Sequence, residues 1–347
     1  MLLGVGRISC PDCGFRSAQT GQSLRAMAEL SASFAGAILR RRPIYTQLVV
    51  TRRCNLSCGY CSEYDTASPP VPLAQLRERI DALHRLRAFH ICMHGGEPLL
   101  HPQLPELVAY AARKSQVSMI SNGLLVTDAL IDGLNGASLF AMQVSIDAPA
   151  PDRTLYIQKN LKTLRVKLDR LRERAQFRLV VNLVLCERTK AEFRGMVDAV
   201  AELGLPLTVG IVHDERGAAD VAGPEYIDLY RYYRDRFQSP HFVEYEYGSA
   251  LLSGERPAWK CRAGARYLYV DEAGRVQLCP TQRGRIDKPV VDYTEADLRA
   301  NYDTYKGCEA GCSVMCAYRP SAIDNAPLGA IKTVLGSLMR RKQEPRS

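Results

Sequence analysis

Three cysteines, Cys54, Cys58 and Cys61, fall within eight residues at the spacing Cys-x3-Cys-x2-Cys. They follow the apolar run Leu48-Val49-Val50-Thr51, which reads as a strand. A loop leaving a strand can fold three thiolates around one corner of an iron–sulfur cubane. Four cysteines saturate a [4Fe–4S] cluster, whereas three leave one iron open to bind a small molecule and pass it an electron. A zinc site is the plainer alternative, but zinc favours paired Cys-x2-4-Cys units, and no second pair follows nearby. A second group lies downstream. Cys261 and Cys279 bracket Gly274 with twelve and four intervening residues, and Cys308, Cys312 and Cys316 recur at every fourth position. Residues four apart share one face of a helix. A hairpin of Tyr267–Val270 and Val276–Leu278, turning at Ala273-Gly274, folds Cys261 toward Cys279. These five thiols supply a second four-sulfur site with one to spare, for a cluster or for zinc.

The first stretch resembles the signature of the radical S-adenosylmethionine (SAM) enzymes, Cys-x3-Cys-x-aromatic-Cys, with Tyr60 as the aromatic. The resemblance implies that Cys54, Cys58 and Cys61 hold a [4Fe–4S] cluster whose open iron is chelated by SAM. One electron then splits SAM and releases a 5′-deoxyadenosyl radical, which abstracts a hydrogen atom. The second group resembles the SPASM/twitch extension of that family. A full SPASM domain carries seven cysteines and two auxiliary clusters; five are present here, which implies one auxiliary [4Fe–4S] cluster with ligands among Cys261, Cys279, Cys308, Cys312 and Cys316. The usual final Cys-x2-Cys is replaced by Cys-x3-Cys-x3-Cys, and the odd cysteine among the last three stays open.

The elements that must position these residues alternate as parallel βα units do. Strands are expected at Ile44–Thr51, Phe89–Met93, Val117–Ile120, Phe140–Ile146, Phe177–Leu185 and Leu207–Val212. Helices are expected at Leu73–Leu86, Leu104–Arg113, Asp128–Leu134, Leu155–Arg174 and Ala191–Leu203. Six strands match the α/β partial (β/α)6 barrel of the radical SAM enzymes, with a small Cys-rich twitch/SPASM-like domain following. Parallel barrels place their sites at the C-terminal strand ends. Strand two ends in His94-Gly95-Gly96-Glu97-Pro98 and strand three in Ser121-Asn122-Gly123. These resemble the family's Gly-Gly-Glu-Pro and Thr-Asn-Gly motifs, which implies SAM contacts for Gly95, Gly96, Glu97 and Asn122. Strand four places Ser145 and Asp147 on one face and Val144 and Ile146 on the other. A polar pair at that position should meet a ligand. The family uses it for SAM, as it uses a polar residue on strand five, here Asn182, and the sixth strand, here Gly210 and Ile211. His213 and Asp214, just beyond, are the substrate-side catalytic candidates. Tyr226, Tyr230 and Tyr233 recur at helical spacing and read as packing, and Cys92 and Cys186 as buried small hydrophobes.

The bulk properties agree. The chain has 347 residues, 46% hydrophobic, enough for one large domain and a small one. The expected division is 1–43, an amphipathic extension; 44–236, the barrel; 237–325, the auxiliary domain; and 326–347, a second amphipathic helix. Twelve cysteines without a small secreted framework fit a reducing compartment, and no apolar run is long enough to span a bilayer, so a cytoplasmic location is expected. The net charge of +9 comes without a nucleic-acid-binding motif. Cys10 and Cys13 form a lone pair that cannot close a zinc site. Leu24, Met27, Ser31, Phe34 and Ile38, ending at Arg40-Arg41-Arg42, read as a helix packed on the barrel; Leu328, Ile331, Leu335 and Leu338 before Arg340-Arg341-Lys342 repeat the pattern. Two basic-tipped helices raise a peripheral membrane contact as an alternative. With only 43 residues before the barrel, a small-molecule or lipid substrate is expected over a peptide, and the layout also resembles the adenosylhopane synthase-like branch. A flavodoxin or ferredoxin is the expected electron donor. The rival from another class is a non-catalytic iron–sulfur electron carrier or redox sensor, which leaves the Gly-Gly-Glu-Pro loop unexplained.

Overall fold

The computed structural model describes residues 32–61, 63–151, 159–237 and 242–325. Six strands run parallel in chain order: β1 (Tyr45–Thr51), β2 (His90–Gly95), β3 (Gln116–Ser121), β4 (Ala141–Ser145), β5 (Arg178–Leu185) and β6 (Leu207–Ile211). Helices cross between them: α2 (Leu73–Arg85), α3 (Leu104–Ala112), α4 (Asp128–Gly136), α5 (Leu161–Arg174) and α6 (Phe193–Glu202), preceded by α1 over residues 32–39. The sheet does not close. Its order is β6-β5-β4-β3-β2-β1-β7-β8-β9, with β7 (Tyr267–Val270), β8 (Arg275–Gln277) and β9 (Lys288–Pro289) added beyond β1.

Alternation along each strand sorts the side chains. Leu48 and Val50 of β1, Ile91 and Met93 of β2, and Val144 of β4 turn outward and pack with Leu76, Ile80 and Leu83 of α2 and Leu164 and Leu168 of α5 in the main core. The inward rows mix polar and aromatic side chains with small apolar ones: Tyr45, Gln47 and Val49, His90, Cys92 and His94, Tyr267 and Tyr269. The expected α5 began at Leu155, inside the undescribed 152–158. The described helix begins at Leu161, because the Asn160 side chain accepts from Thr163 N at 2.9 Å and caps it.

The expected division at residue 236 cuts through a continuous sheet. β7 pairs in parallel with β1, and Val49 of β1 shares a core with Cys261, Tyr267, Tyr269, Cys279 and Cys312. The β7–β8 hairpin turns at Gly274 as expected, with Asp271 Oδ1 accepting from Ala273 N and Arg275 N. The single helical face expected for Cys308, Cys312 and Cys316 is not formed. Gly307 and Gly311 hold φ of 76° and 78°, which keeps that stretch irregular, and only Cys316 lies in a helix, α10 (Met315–Asn325). Before it come α7 (Pro224–Phe237), α8 (Phe242–Leu252) and α9 (Glu295–Asp303). Tyr226, Tyr230 and Tyr233 are buried packing residues of α7, and Cys92 and Cys186 are buried.

Phe34 and Ala37 of α1 pack on Ile44 and Phe89, beneath the strand starts. Arg266, 1% exposed, ties this corner together: it donates to the carbonyls of Ala37, Ile38 and Arg42 and pairs with Asp324 of α10 at 2.6 Å. The residues at 10, 13, 24, 27 and 31 and the second amphipathic helix lie outside the described residues. No helix among the described residues is long and apolar enough to cross a membrane.

Candidate active site

The first cysteine loop leaves β1 and is closed on itself: Cys54 N donates to Asp65 O, Asp65 N to Arg52 O, and Cys61 N to Cys58 O at 3.0 Å. Burial raises all three thiols, Cys58 to about 11, and each lies close enough to act on another. Leu56 N donates to Cys54 Sγ at 3.4 Å. Among the described residues no three His, Cys, Asp or Glu side chains converge where one metal ion would sit. A single zinc requires sulfurs about 2.3 Å from one point. A cubane binds each sulfur to a different iron, so its ligands stand around a volume rather than a point.

Gly95 and Gly96 are dictated by the neighbouring loop. A Cβ on Gly95 would lie 1.9 Å from Thr51 O, and one on Gly96 would lie 2.3 Å from Arg53 O. That closeness lets Gly96 N and Glu97 N donate to Thr51 O and Arg53 O, both at 2.9 Å, fixing the end of β2 against the cysteine loop. Glu97 is fully buried, and its carboxylate accepts from Leu99 N, Ser121 Oγ and Asn122 N at 2.7–3.0 Å. Burial nevertheless lifts it to about 6. Its side chain is therefore a clamp between the ends of β2 and β3, not a group reaching into the mouth. Asn122 does reach the loop: its amide donates to Asn55 Oδ1 at 2.8 Å and lies 3.9 Å from Cys54 Sγ.

The strand ends opposite carry an inward polar row. Ser145 pairs in register with Asn182, and Asn182 with Thr208, whose hydroxyl donates to Asn182 Oδ1 at 3.0 Å. Gly210 continues the row; a Cβ there meets nothing closer than Leu183 O at 3.9 Å, so the space before it is open. Ile211 does not join them. Alternation turns its side chain into the main core at 3% exposure, so only its backbone remains at the mouth. Asp147 is buried with Oδ1 unpartnered among the described residues, while Oδ2 takes the Tyr60 hydroxyl and the Lys159 ammonium at 3.1 Å. Lys159, which sequence reasoning missed, is 9% exposed and stands 4.9 Å over the Tyr60 ring. Burial pushes its pKa down, but Asp147 and the thiols of Cys58 and Cys61 push it up by more. Lys159 lies in a stretch with no periodic pattern; only its place after strand four pointed to it. Arg188, also missed, extends from the loop after β5 until its guanidinium packs on Gly59 of the cysteine loop.

In the second group the thiols lie close enough to act on one another. Burial raises Cys261 to about 12, with Cys279 and Cys308 adding to it; Cys279 acts likewise on Cys308, and all three act on Cys312. Arg285 lies 3.8 Å from Cys308 Sγ, and the Cys279 and Thr281 side chains are 3.3 Å apart. Cys316 packs at the edge of this group, near enough for Cys279 to act on it, with Sγ 3.5 Å from the Tyr267 hydroxyl. The loop after β6 docks on this group: Ala219 N donates to Gly311 O and Ser313 N to Gly217 O, both at 2.9 Å. Asp214 is consumed in closing that loop, Oδ1 accepting from Arg216 N and Ala218 N at 2.9 Å. His213 is half-buried beside it, with Nδ1 3.0 Å from Asp214 O.

The structure thus presents an unclosed parallel α/β barrel with a three-cysteine loop at its mouth and a second group of thiols beside the added hairpin. The radical SAM superfamily profile matches residues 48–211 of the chain, just under half of its length. That superfamily's cofactors are a [4Fe–4S] cluster and SAM. Among curated proteins it resembles the PqqA peptide cyclase of Xanthomonas euvesicatoria pv. vesicatoria (strain 85-10), 31% identical over 173 residues, 46% of this chain and 45% of that one. It also resembles the GTP 3',8-cyclase of Chlorobaculum tepidum, 34% identical over 108 residues, 30% of this chain and 32% of that one. The chain thus spans less than half the length of these relatives. Among solved structures, Streptococcus suis SuiB bound to its precursor peptide SuiA superposes with a TM-score of 0.58 at 13% identity, covering 85% of this chain and 74% of that one. The structure of anSMEcpe with AdoMet and the Kp18Cys peptide gives 0.55 at 13%, covering 84% and 99%. At that identity the likeness is one of fold.

Proposed function

We propose that this chain is a two-cluster radical SAM enzyme acting on a peptide. Cys54, Cys58 and Cys61 would hold the SAM cluster, and Cys261, Cys279, Cys308 and Cys312 an auxiliary one. Cys316, which alone of the five lies in a helix and whose Sγ is 3.5 Å from the Tyr267 hydroxyl, would be the odd cysteine. The observation that carries this reading is placement: the first cysteine loop leaves β1, and Cys261 and Cys279 flank the β7–β8 hairpin that extends the same sheet beyond β1. When bound, the cluster and SAM supply a 5′-deoxyadenosyl radical for hydrogen abstraction. The chain's own residues prepare the site. Lys159 offers an ammonium, and Asp147 Oδ1 lacks a donor, which fits a carboxylate and a donor group of one ligand. The open space before Gly210 admits a flat ring. His213, rather than Asp214, remains as the substrate-side proton carrier, since Asp214 is spent on its own loop.

The peptide replaces the small molecule or lipid expected from the short N-terminal stretch. The similarity to a peptide cyclase over 46% of this chain favours a peptide, and a flavodoxin or ferredoxin is retained as the reductant. The test is anaerobic reconstitution, iron counting and incubation with SAM, dithionite and cell extract. About eight irons per chain are expected for two clusters, and about four after Cys58→Ala or Cys312→Ala; Cys316→Ala should keep all of them. Wild type should form 5′-deoxyadenosine and a peptide changed in mass. No 5′-deoxyadenosine would end the proposal, and a modified lipid or metabolite instead would end its peptide half.

A further inference from the structure

A cavity of about 510 Å3 opens between the two cysteine segments, within the size range of ligand pockets. One wall is the first cysteine loop: Arg52, two residues before Cys54, and Glu63, two after Cys61, with Asp65 and Ser68. The other is the auxiliary hairpin: Glu272 at its turn, then Pro280 and Arg283 just past Cys279. The lining carries three carboxylates and two guanidiniums, an excess of one negative charge. Arg283 is already saturated. It pairs with Glu272 and Glu63, each at 3.1 Å, and donates to the Tyr269 hydroxyl at 2.7 Å. The carboxylates are not saturated, since each oxygen accepts more than one donor. Glu272 pairs with Arg283 and feels Arg52, which stands 4.0 Å from Glu63, and its side chain is 37% exposed at the hairpin tip. Behind this wall His94 is buried edge-on to Tyr269 at 5.4 Å, with Nε2 lacking any hydrogen-bond partner. Glu63, Arg283 and Arg52 all lie close enough to act on it.

We infer that this cavity is a recognition pocket for a cationic side chain, lysine or arginine, of the substrate, with Glu272 and Glu63 as its acceptors. This deepens the peptide reading and rests on it for the identity of the molecule that carries the cation. The pocket adjoins the SAM-cluster loop and the auxiliary hairpin together, so a peptide anchored there is held beside both.

The test uses the reconstituted holoenzyme and blocked single residues as probes, acetyl-lysine amide and acetyl-arginine amide, with acetyl-glutamate amide and acetyl-leucine amide as controls. Saturation-transfer NMR or calorimetry should detect the two cations and neither control. Glu272→Gln should weaken the cations about tenfold, the scale of one charge-assisted hydrogen bond. Iron content checks that the variant is folded. If it is not, Ser68→Lys, which places an ammonium in the cavity without removing a partner of Arg283, should abolish binding of both cations. Binding of the glutamate probe in place of the cations, or equal affinity in wild type and variant, overturns the inference. Cation binding that responds to Glu272→Gln, in an enzyme that modifies a lipid or metabolite, sustains the pocket and removes the peptide reading alone.

Discussion

At the level of single residues, glycines in one sequence motif and its neighbours do opposite jobs. Gly96→Ala drives a Cβ into the Arg53 carbonyl, and Gly95→Ala adds strain, because φ there is 146°. Either change should cost about 3 kcal/mol or more and lower the melting temperature and iron content together. Gly210→Leu should do neither, since the space before it is open; it should instead weaken SAM about tenfold in equilibrium dialysis, by filling the space a ring would take. An unchanged SAM affinity in Gly210→Leu would remove Gly210 from the site. The sequence pointed to all three glycines, yet it could not separate a glycine that makes room for backbone from one that makes room for a ligand. The same limit explains Glu97. Its motif flagged it, but only the folded chain shows its carboxylate shared among three donors from β3 and the turn after β2. Lys159 was invisible for a different reason: a lone lysine in a loop has no pattern, and its partner Asp147 lies twelve positions away.

Among the elements, the six parallel strands and their helices were legible because an outward apolar face repeats with period two in strands and near four in helices. What was not legible is where the auxiliary segment goes. β7 holds four residues, Tyr267–Val270, too few to carry a register signal, and its pairing with β1 depends on an edge left free by an incomplete barrel. The helix expected across Cys308 to Cys316 failed where two glycines with positive φ interrupted a four-residue repeat. The joint that holds these elements is Arg266. Its guanidinium caps the last carbonyls of α1 and pairs with Asp324 of α10, and Tyr302 of α9 also donates to Asp324 at 2.8 Å. Removing one partner of a buried pair leaves an uncompensated charge, typically 3–5 kcal/mol. Asp324→Asn should therefore destabilise the protein by about 3 kcal/mol, read as a lower urea midpoint, with α10 proteolysed first. Arg266→Met together with Asp324→Leu should recover much of that loss. A neutral Asp324→Asn would mean that α1 and α10 are held by apolar contacts alone.

For the molecule as a whole, the interior of the unclosed barrel decides how stability answers to pH. Burial lowers His90 to about 3 and His94 to about 4, and lowers His84 and His101 as well. An unfolded histidine takes its proton near pH 6.5, so each buried one withholds a proton that the unfolded chain accepts. Their contribution is fully present above pH 6.5 and is lost as pH falls toward the folded values. At pH 5 the loss is about 2 kcal/mol each for His90 and His94, since neither has yet protonated in the folded state. Glu97 runs the other way. Burial raises it to about 6, so its ionised form is penalised only in the fold, and acidification from pH 7 to 5 returns about 1 kcal/mol. The histidines win, and the net fall between pH 7 and 5 should be about 3 kcal/mol, followed through urea midpoints. Iron-free protein is the right material, because acid also dissolves clusters. His94→Phe keeps the edge-on contact with Tyr269 and sacrifices no Nε2 hydrogen bond, since that atom has none. It should flatten the slope by close to one proton, about 1.4 kcal/mol per pH unit, while stability at pH 7 changes little. A slope unchanged in His94→Phe would place the acid sensitivity elsewhere, in His90 or in the carboxylates, and would mean that His94 is protonated and solvated in the folded chain.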